Sequence, residues 1–294
     1  MRLLLVGANG QVGDALRRSL APLGDVIATT RSGRLDDDAA CEALDLADLD
    51  AIAPLVARVR PDVVVNAAAY TAVDRAEDES ELAFRINAQA VERLAVACAD
   101  RDVPLVHYST DYVFDGRGTR PYREDDPTAP LGVYGQSKRD GELAIARSGA
   151  RHIILRTAWV YGLHGHNFLR TMLRVGAERD ELRVVADQHG CPTPAWLIAD
   201  VTAAILRRGI AESGIRHLVA GGQTTWHGFA EAIFGEAANR GLMARRPVVT
   251  PIATADYPTR AQRPGYSVLD TARLREEYAL DLPGWQDALA RTLG

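Results

Sequence analysis

Two hydrophobic periods alternate along the first half of the chain. Short β-rich runs at residues 2–6, 25–30, 62–66 and 104–109 are separated by longer segments whose apolar residues recur at helical spacing. Helices are predicted over 10–20, 49–59 and 79–102; in the last, Leu82, Ile86, Ala90, Leu94 and Ala97 share one face. Pro61 introduces the third strand, and a further strand over 152–156 runs into Thr157-Ala158-Trp159-Val160-Tyr161-Gly162. Strands alternating with helices predict βαβ units and a parallel sheet. From Asp115 to Leu131 the composition turns to Gly, Arg, Pro and Asp, which reads as an excursion over the surface, before a helix begins near Val133. Beyond about residue 158 the rhythm becomes irregular, with helical patterns over 167–177, 195–207, 226–238 and 271–278.

Composition narrows the class. The chain has 294 residues, 47% hydrophobic and 25% charged, enough for a large core in one or two domains. A net charge of −5 argues against a nucleic-acid partner but leaves room for a local basic pocket that takes an anionic small molecule. The opening Met-Arg-Leu-Leu-Leu-Val-Gly is too short for a secretory signal, and no run approaches the ~20 apolar residues of a membrane span. A cytoplasmic protein without a membrane partner is expected. Cys41, Cys98 and Cys191 are scattered, without CxxC spacing, and read as reduced packed thiols.

Gly7, Gly10 and Gly13 follow the first strand and open the first helix. Without side chains there, backbone amides can approach a pyrophosphate at the helix N-terminus, although glycines also serve tight turns and close helix-to-strand packing. Their place at the start of a βαβ series favours a dinucleotide site. The fold expected is α/β, a Rossmann-type doubly wound parallel sheet formed by residues 1–157. A smaller C-terminal α/β substrate lobe would take 158–294, part of it returning to the first domain. Cofactor choice is read after the second strand, where a carboxylate would receive ribose hydroxyls and a cation a 2′-phosphate. Thr29-Thr30-Arg31-Ser32 has no carboxylate, so NADPH is favoured over NADH through Arg31, a residue that could also be a solvated cation in a charged loop. Asp45-Leu46 could contact the adenine, or Asp45 could cap a helix.

Tyr134 and Lys138 stand four apart and share a helical face, downstream of Ser109-Thr110-Asp111. A phenol beside an ammonium, which lowers its pKa, can deliver a proton near neutral pH, whereas an isolated tyrosine titrates near about 10. Proton delivery to an oxygen that is receiving hydride electrons is reductase chemistry.

Gly10-Gln-Val-Gly13, residues 66–74 (Asn-Ala-Ala-Ala-Tyr-Thr-Ala-Val-Asp), 109–116 (Ser-Thr-Asp-Tyr-Val-Phe-Asp-Gly), 134–138, 156–161 (Arg-Thr-Ala-Trp-Val-Tyr), 187–193 (Asp-Gln-His-Gly-Cys-Pro-Thr) and 263–270 (Arg-Pro-Gly-Tyr-Ser-Val-Leu-Asp) run in order over nearly the whole chain. This series resembles the dTDP-4-dehydrorhamnose reductase family of the extended short-chain dehydrogenase/reductases. The resemblance implies reduction of a nucleotide-sugar 4-keto group, the last step in making dTDP-L-rhamnose. Tyr134 would be the proton donor, Lys138 its partner and a ligand of the nicotinamide ribose, and Thr110 the hydrogen-bond donor to the carbonyl. It further implies dinucleotide contacts at Gly10, Gln11, Val12, Asp45, Leu46, Ala69, Tyr70 and Thr71, and sugar contacts at Asp111 and Trp159. Trp159 could instead be core. Arg260 and Arg263 suit a diphosphate, or could pair on the surface with Glu276 or Glu277.

Some members of this family hold a divalent metal at a dimer contact through two glutamates. Ala15 and Trp196 stand at those positions, so no metal site is expected, and the chain should be a monomer or a homodimer not bridged by metal. Three other readings remain open at this level, the first a reductase of another nucleotide 4-keto-6-deoxy sugar. A bifunctional epimerase-reductase would need a second acid/base pair, for which His189 and Cys191 are the candidates; a non-catalytic regulatory relative would need none.

Overall fold

The computed structural model describes residues 1–294. From the N-terminus the chain forms β1 (Arg2–Val6), α1 (Gln11–Leu20), β2 (Asp25–Thr30), β3 (Glu42–Ala43), α2 (Ile52–Val59), β4 (Val63–Asn66), α3 (Val73–Ala76), α4 (Ser80–Phe84), a π turn (Arg85–Gln89) and α5 (Ala90–Ala99). Then come β5 (Leu105–Thr110), α6 (Val133–Arg147), β6 (His152–Thr157), β7 (Val160–Tyr161), α7 (Phe168–Glu178), β8 (Glu181–Val185), β9 (His189–Gly190) and β10 (Thr193–Pro194). The chain ends with α8 (Ala195–Arg208), β11 (Gly214–His217), β12 (Thr224–Thr225), α9 (Trp226–Asn239), β13 (Val248–Ile252), α10 (Ala272–Glu277) and α11 (Trp285–Thr292).

Seven strands form one parallel sheet in the order β11-β6-β5-β4-β1-β2-β3. Leu3 and Leu5 of β1 enter one hydrophobic layer, with α1, α8 and α9, while Leu4 and Val6 enter the other, with α2 and α5. Alternate side chains of a strand point to opposite faces, so β1, covered on both sides, is apolar from Leu3 to Val6, while the polar pair that β4 and β5 bury, Asn66 and His107, is hydrogen-bonded. Strand order reverses between β1 and β4, where the loops after the two strands diverge and leave a crevice at their C-terminal ends. The doubly wound α/β fold is therefore present. Beyond β6 the chain builds the β8/β13 parallel pair under α7 and α9, then supplies β11 to the edge of the main sheet.

One local expectation is corrected. The segment read as one regular helix over 79–102 is broken by the π turn, because Asn87 is buried and must satisfy its amide. Asn87 Oδ1 accepts from the Tyr70 N–H at 2.8 Å, and Nδ2 donates to the Tyr70 carbonyl and the Ser137 hydroxyl at 3.0 Å each. The stretch 115–131 runs over the surface as expected, without a strand of its own, and is fastened by Tyr122, which is buried, stacks on Phe114 with ring centroids 4.2 Å apart and donates its N–H to the Val268 carbonyl.

Candidate functional site

The C-terminal ends of β1, β2, β4, β5 and β6 open onto a cleft of about 730 Å³, in the size range of small-molecule and cofactor sites. Its floor begins at the turn after β1. Gly7 takes φ +87°, and a Cβ there would sit 2.8 Å from Ala68. A Cβ on Gly13 would lie 2.0 Å from the Gly7 carbonyl oxygen, so only glycine lets α1 come this close to the turn. Gly10 precedes α1 with no side-chain cap, which leaves the first-turn N–H groups without a side-chain acceptor. Gly7, Gly10, Gln11 and Val12 line the cleft. An uncapped helix N-terminus aimed into a glycine cradle fits a pyrophosphate.

Arg31, Asp45, Leu46, Ala69 and Thr71 line the same end. Arg31 is exposed at the tip of β2 and forms no ion pair, and Asp45 closes a local turn by accepting from the Ala47 N–H at 2.9 Å. Two of the expected dinucleotide contacts do not reach the cleft wall. Gly13 is buried against the turn, and the Tyr70 phenol donates to Glu79 at 2.7 Å while its backbone is held by Asn87.

At the other end β5 delivers Thr110 and Asp111, and α6 delivers Tyr134 and Lys138; all four line the cleft. The Thr110 hydroxyl donates to Asp111 Oδ1 at 3.1 Å and accepts from the Tyr112 N–H at 3.2 Å. Asp111 is 1% exposed, its Oδ2 has no partner, and burial pushes its carboxyl up to about 6 against the hydrogen bonds of Ser267 and Thr110. Burial pushes the Tyr134 phenol up to about 12, with Thr110 acting in the opposite direction. The expected lowering of Tyr134 by Lys138 is thus not what this geometry gives. The Lys138 Nζ lies 2.7 Å from the Tyr108 carbonyl and 3.1 Å from His107 Nε2, both on β5, and desolvation dominates both Tyr134 and Lys138. Lys138 is itself brought down to about 8 by burial, against the Glu142 carboxylate.

Trp159 lines the cleft with φ +48°, an uncommon conformation for a bulky residue. Gly190 makes room for it, since a Cβ there would lie 2.4 Å from the indole. Trp226 stacks on Trp159 with centroids 3.6 Å apart and planes 6° from parallel, and also lines the cleft. Sequence periodicity placed Trp226 at the start of a helix and gave no signal for this stack. Arg263 reaches the cleft and donates to Asp74 at 2.8 Å. Arg260 is exposed, outside the lining, and pairs with Asp78 at 2.6 Å. Neither arginine pairs with Glu276 or Glu277; Glu277 holds Arg216 instead. Other lining residues missed from sequence include Asn9, Thr30, Tyr108, Tyr112 and His166.

At the two positions raised for a metal, Ala15 is buried and the Trp196 indole donates to the Thr292 hydroxyl at 2.9 Å beneath the Arg291 guanidinium. Neither side chain offers an oxygen ligand. Cys191 is 1% exposed with its thiol pushed up to about 12 by burial, and neither it nor His189 lines the cleft. No helix is long and apolar enough to cross a membrane.

The family described as RmlD substrate binding domain matches residues 1–294. The dTDP-4-dehydrorhamnose reductase of Shigella flexneri is 46% identical over 100% of this chain and 97% of its own. That of Burkholderia thailandensis is 46% identical over 98% of this chain and 97% of its own. Among solved structures, the dTDP-4-dehydrorhamnose reductase of Bacillus anthracis in complex with NADP is 35% identical, with a TM-score of 0.89 over 99% of this chain and 98% of that one. The chain belongs to the dTDP-4-dehydrorhamnose reductase family, an oxidoreductase family on the Rossmann-type fold of the extended short-chain dehydrogenase/reductases.

Proposed function

We propose that this protein reduces the 4-keto group of dTDP-4-dehydro-L-rhamnose to give dTDP-L-rhamnose, using NADPH in preference to NADH. The observation that carries the reading is one cleft lined at one end by a glycine turn with an uncapped helix N-terminus and at the other by Thr110, Tyr134 and Lys138. The free N–H groups at the start of α1 would take the pyrophosphate, and Arg31 the 2′-phosphate through charge-assisted hydrogen bonds. Bound NADPH supplies the hydride that the sugar C4 receives.

Everything else falls to the protein. Thr110 turns its hydroxyl from Asp111 to donate a hydrogen bond to the carbonyl oxygen and holds it toward Tyr134. A phenol raised by burial stays protonated through the neutral range, so Tyr134 stands ready as an acid, and it transfers its proton as negative charge develops on the sugar O4. Lys138 steadies the phenolate left behind and reaches the nicotinamide ribose. Asp111 offers its unpartnered oxygen to a sugar hydroxyl, the Trp159 and Trp226 pair forms an apolar wall, and Arg263 faces the diphosphate. Residues 1–157 serve the dinucleotide and residues 158–294 mainly the sugar, with β11 as the part that rejoins the sheet.

A bifunctional epimerase-reductase is disfavoured by Cys191, a buried thiol held protonated by burial and absent from the cleft lining. The test is product analysis after incubating the protein and NADPH with dTDP- and GDP-linked 4-keto-6-deoxy sugars. The expected result is dTDP-L-rhamnose formed in step with NADPH oxidation. A ring-epimerised product would favour the bifunctional reading, and no turnover of any sugar would favour a non-catalytic relative.

A further inference from the structure

Lys138 is the only lysine in the chain, where arginine supplies every other side-chain cation of the Lys/Arg type. Arginine cannot give up its proton in a protein, whereas lysine can when buried, so the one lysine stands where a titratable amine differs most from a fixed charge. It is 2% exposed. Behind it runs a line of buried polar groups that belongs to neither end of the cleft.

The order of donors along that line fixes its direction. The Ala68 N–H donates to Asn66 Oδ1 at 3.2 Å and has no other acceptor, which turns Asn66 Nδ2 toward His107 Nδ1, 3.1 Å away. Asn66 and His107 face each other across the β4/β5 register. An Asn66 amide that donates to Nδ1 requires the His107 proton on Nε2, because a neutral imidazole has one donor and one acceptor nitrogen. His107 is neutral, held well below its ordinary range by burial. The Nε2–H then points at Lys138 Nζ, 3.1 Å away, and Nζ donates onward to the Tyr108 carbonyl at 2.7 Å. This line is complete only when Lys138 is an amine with a lone pair to accept the Nε2–H. With an ammonium there is one proton too many, and two donors face each other at one end of the imidazole or the other.

We propose that His107, oriented by Asn66, is a positioning residue that donates Nε2–H to Lys138 and sets how readily this lysine takes up a proton. Hydrogen bonding to the neutral form disfavours the charged one, in the same direction as burial. Glu142, one turn on along α6, and Tyr108 of β5, whose carbonyl Nζ reaches, stand next to Lys138, and Tyr134, Asp111 and Tyr112 share the cleft lining with it. Glu142 favours the ammonium but is itself held by Arg156 of β6 through bonds of 2.8 and 2.7 Å. Asp74, Glu81 and Arg85 lie on the helical layer packed over α6.

The role of this pair in turnover rests on the reductase reading, but the direction of its hydrogen bond does not. With ¹³C-lysine incorporated, the full-length protein shows a single lysine Cε resonance, so Lys138 can be titrated without any substrate. The midpoint in the native protein is expected well below the ordinary lysine range, and His107→Phe should raise it by about one unit. His107→Gln, whose amide N–H can replace Nε2–H, should stay near the native value. A fall in the His107→Phe midpoint would mean that the ammonium donates to the ring, and an unchanged midpoint that the ring merely fills space; either result overturns the proposal. Long-range ¹H–¹⁵N spectra of native protein at pH 9 decide the tautomer even if the variants do not fold: protonated Nε2 is expected, and protonated Nδ1 would overturn it. If the native protein turns over no keto sugar, the reductase reading falls while these spectra still decide the His107 assignment.

Discussion

Arg31 illustrates how much a single side chain can decide. It stands exposed at the end of β2 with no ion-pair partner and lines the cleft, so its charge is available to a phosphate. A charge-assisted contact of this kind contributes about 1.5–3 kcal/mol, so Arg31→Ala should raise the KM for NADPH roughly ten- to hundredfold and leave that for NADH nearly unchanged. Steady-state kinetics with both cofactors check this, and equal changes would remove the assignment. The tip of β2 was legible because the absence of a carboxylate is a local fact. Trp226 was not, because its place against Trp159 depends on Gly190 and on a positive φ at Trp159, contacts that join segments far apart in sequence. Arg260 shows the opposite failure: a basic motif near other functional residues, whose nearest acid turned out to be Asp78 on the surface.

Among the elements, the interior strands of the main sheet were the easiest to read, β1 above all as a buried apolar run, and β1 and β2 fall where the pattern put them; the edge strands β3 and β11, of two and four residues, left no such run. Elements shaped by tertiary packing were not. The π turn inside the 80–99 segment places Asn87 to bond to Tyr70 and Ser137, and its backbone carbonyl packs directly against Gly141 of α6. A Cβ at Gly141 would lie 2.2 Å from the Asn87 carbonyl oxygen. Gly141→Ala should therefore destabilise by about 1–3 kcal/mol, the usual range for overpacking, and lower Tm by several degrees. An unchanged melting temperature would mean that the two segments part without cost. Of the short strands that fasten the substrate lobe, β7, β9, β10 and β12 are two residues each, too short to leave a period in the sequence.

On the scale of the whole molecule, the parallel sheet brings residues from β1, β2, β5, α6 and the later lobe to one cleft, and the order of motifs along the chain made that convergence readable before any coordinates. What the motifs could not convey is the electrostatic state of the site. Lys138 is turned to β5, and burial rather than a neighbouring ammonium governs Tyr134. The central claim is that Tyr134 gives its proton to the sugar oxygen during reduction. Tyr134→Phe keeps the ring and removes only the hydroxyl, so the decisive measurement is its kcat with dTDP-4-dehydro-L-rhamnose, alongside NADPH affinity and Tm. The expected result is a fall in kcat of roughly 10²–10⁴ with affinity and stability near those of the native protein. Native turnover by Tyr134→Phe would contradict the claim, and loss of turnover on Tyr112→Phe in its place would move the proton donor to the neighbouring ring, whose centroid lies 5.7 Å away.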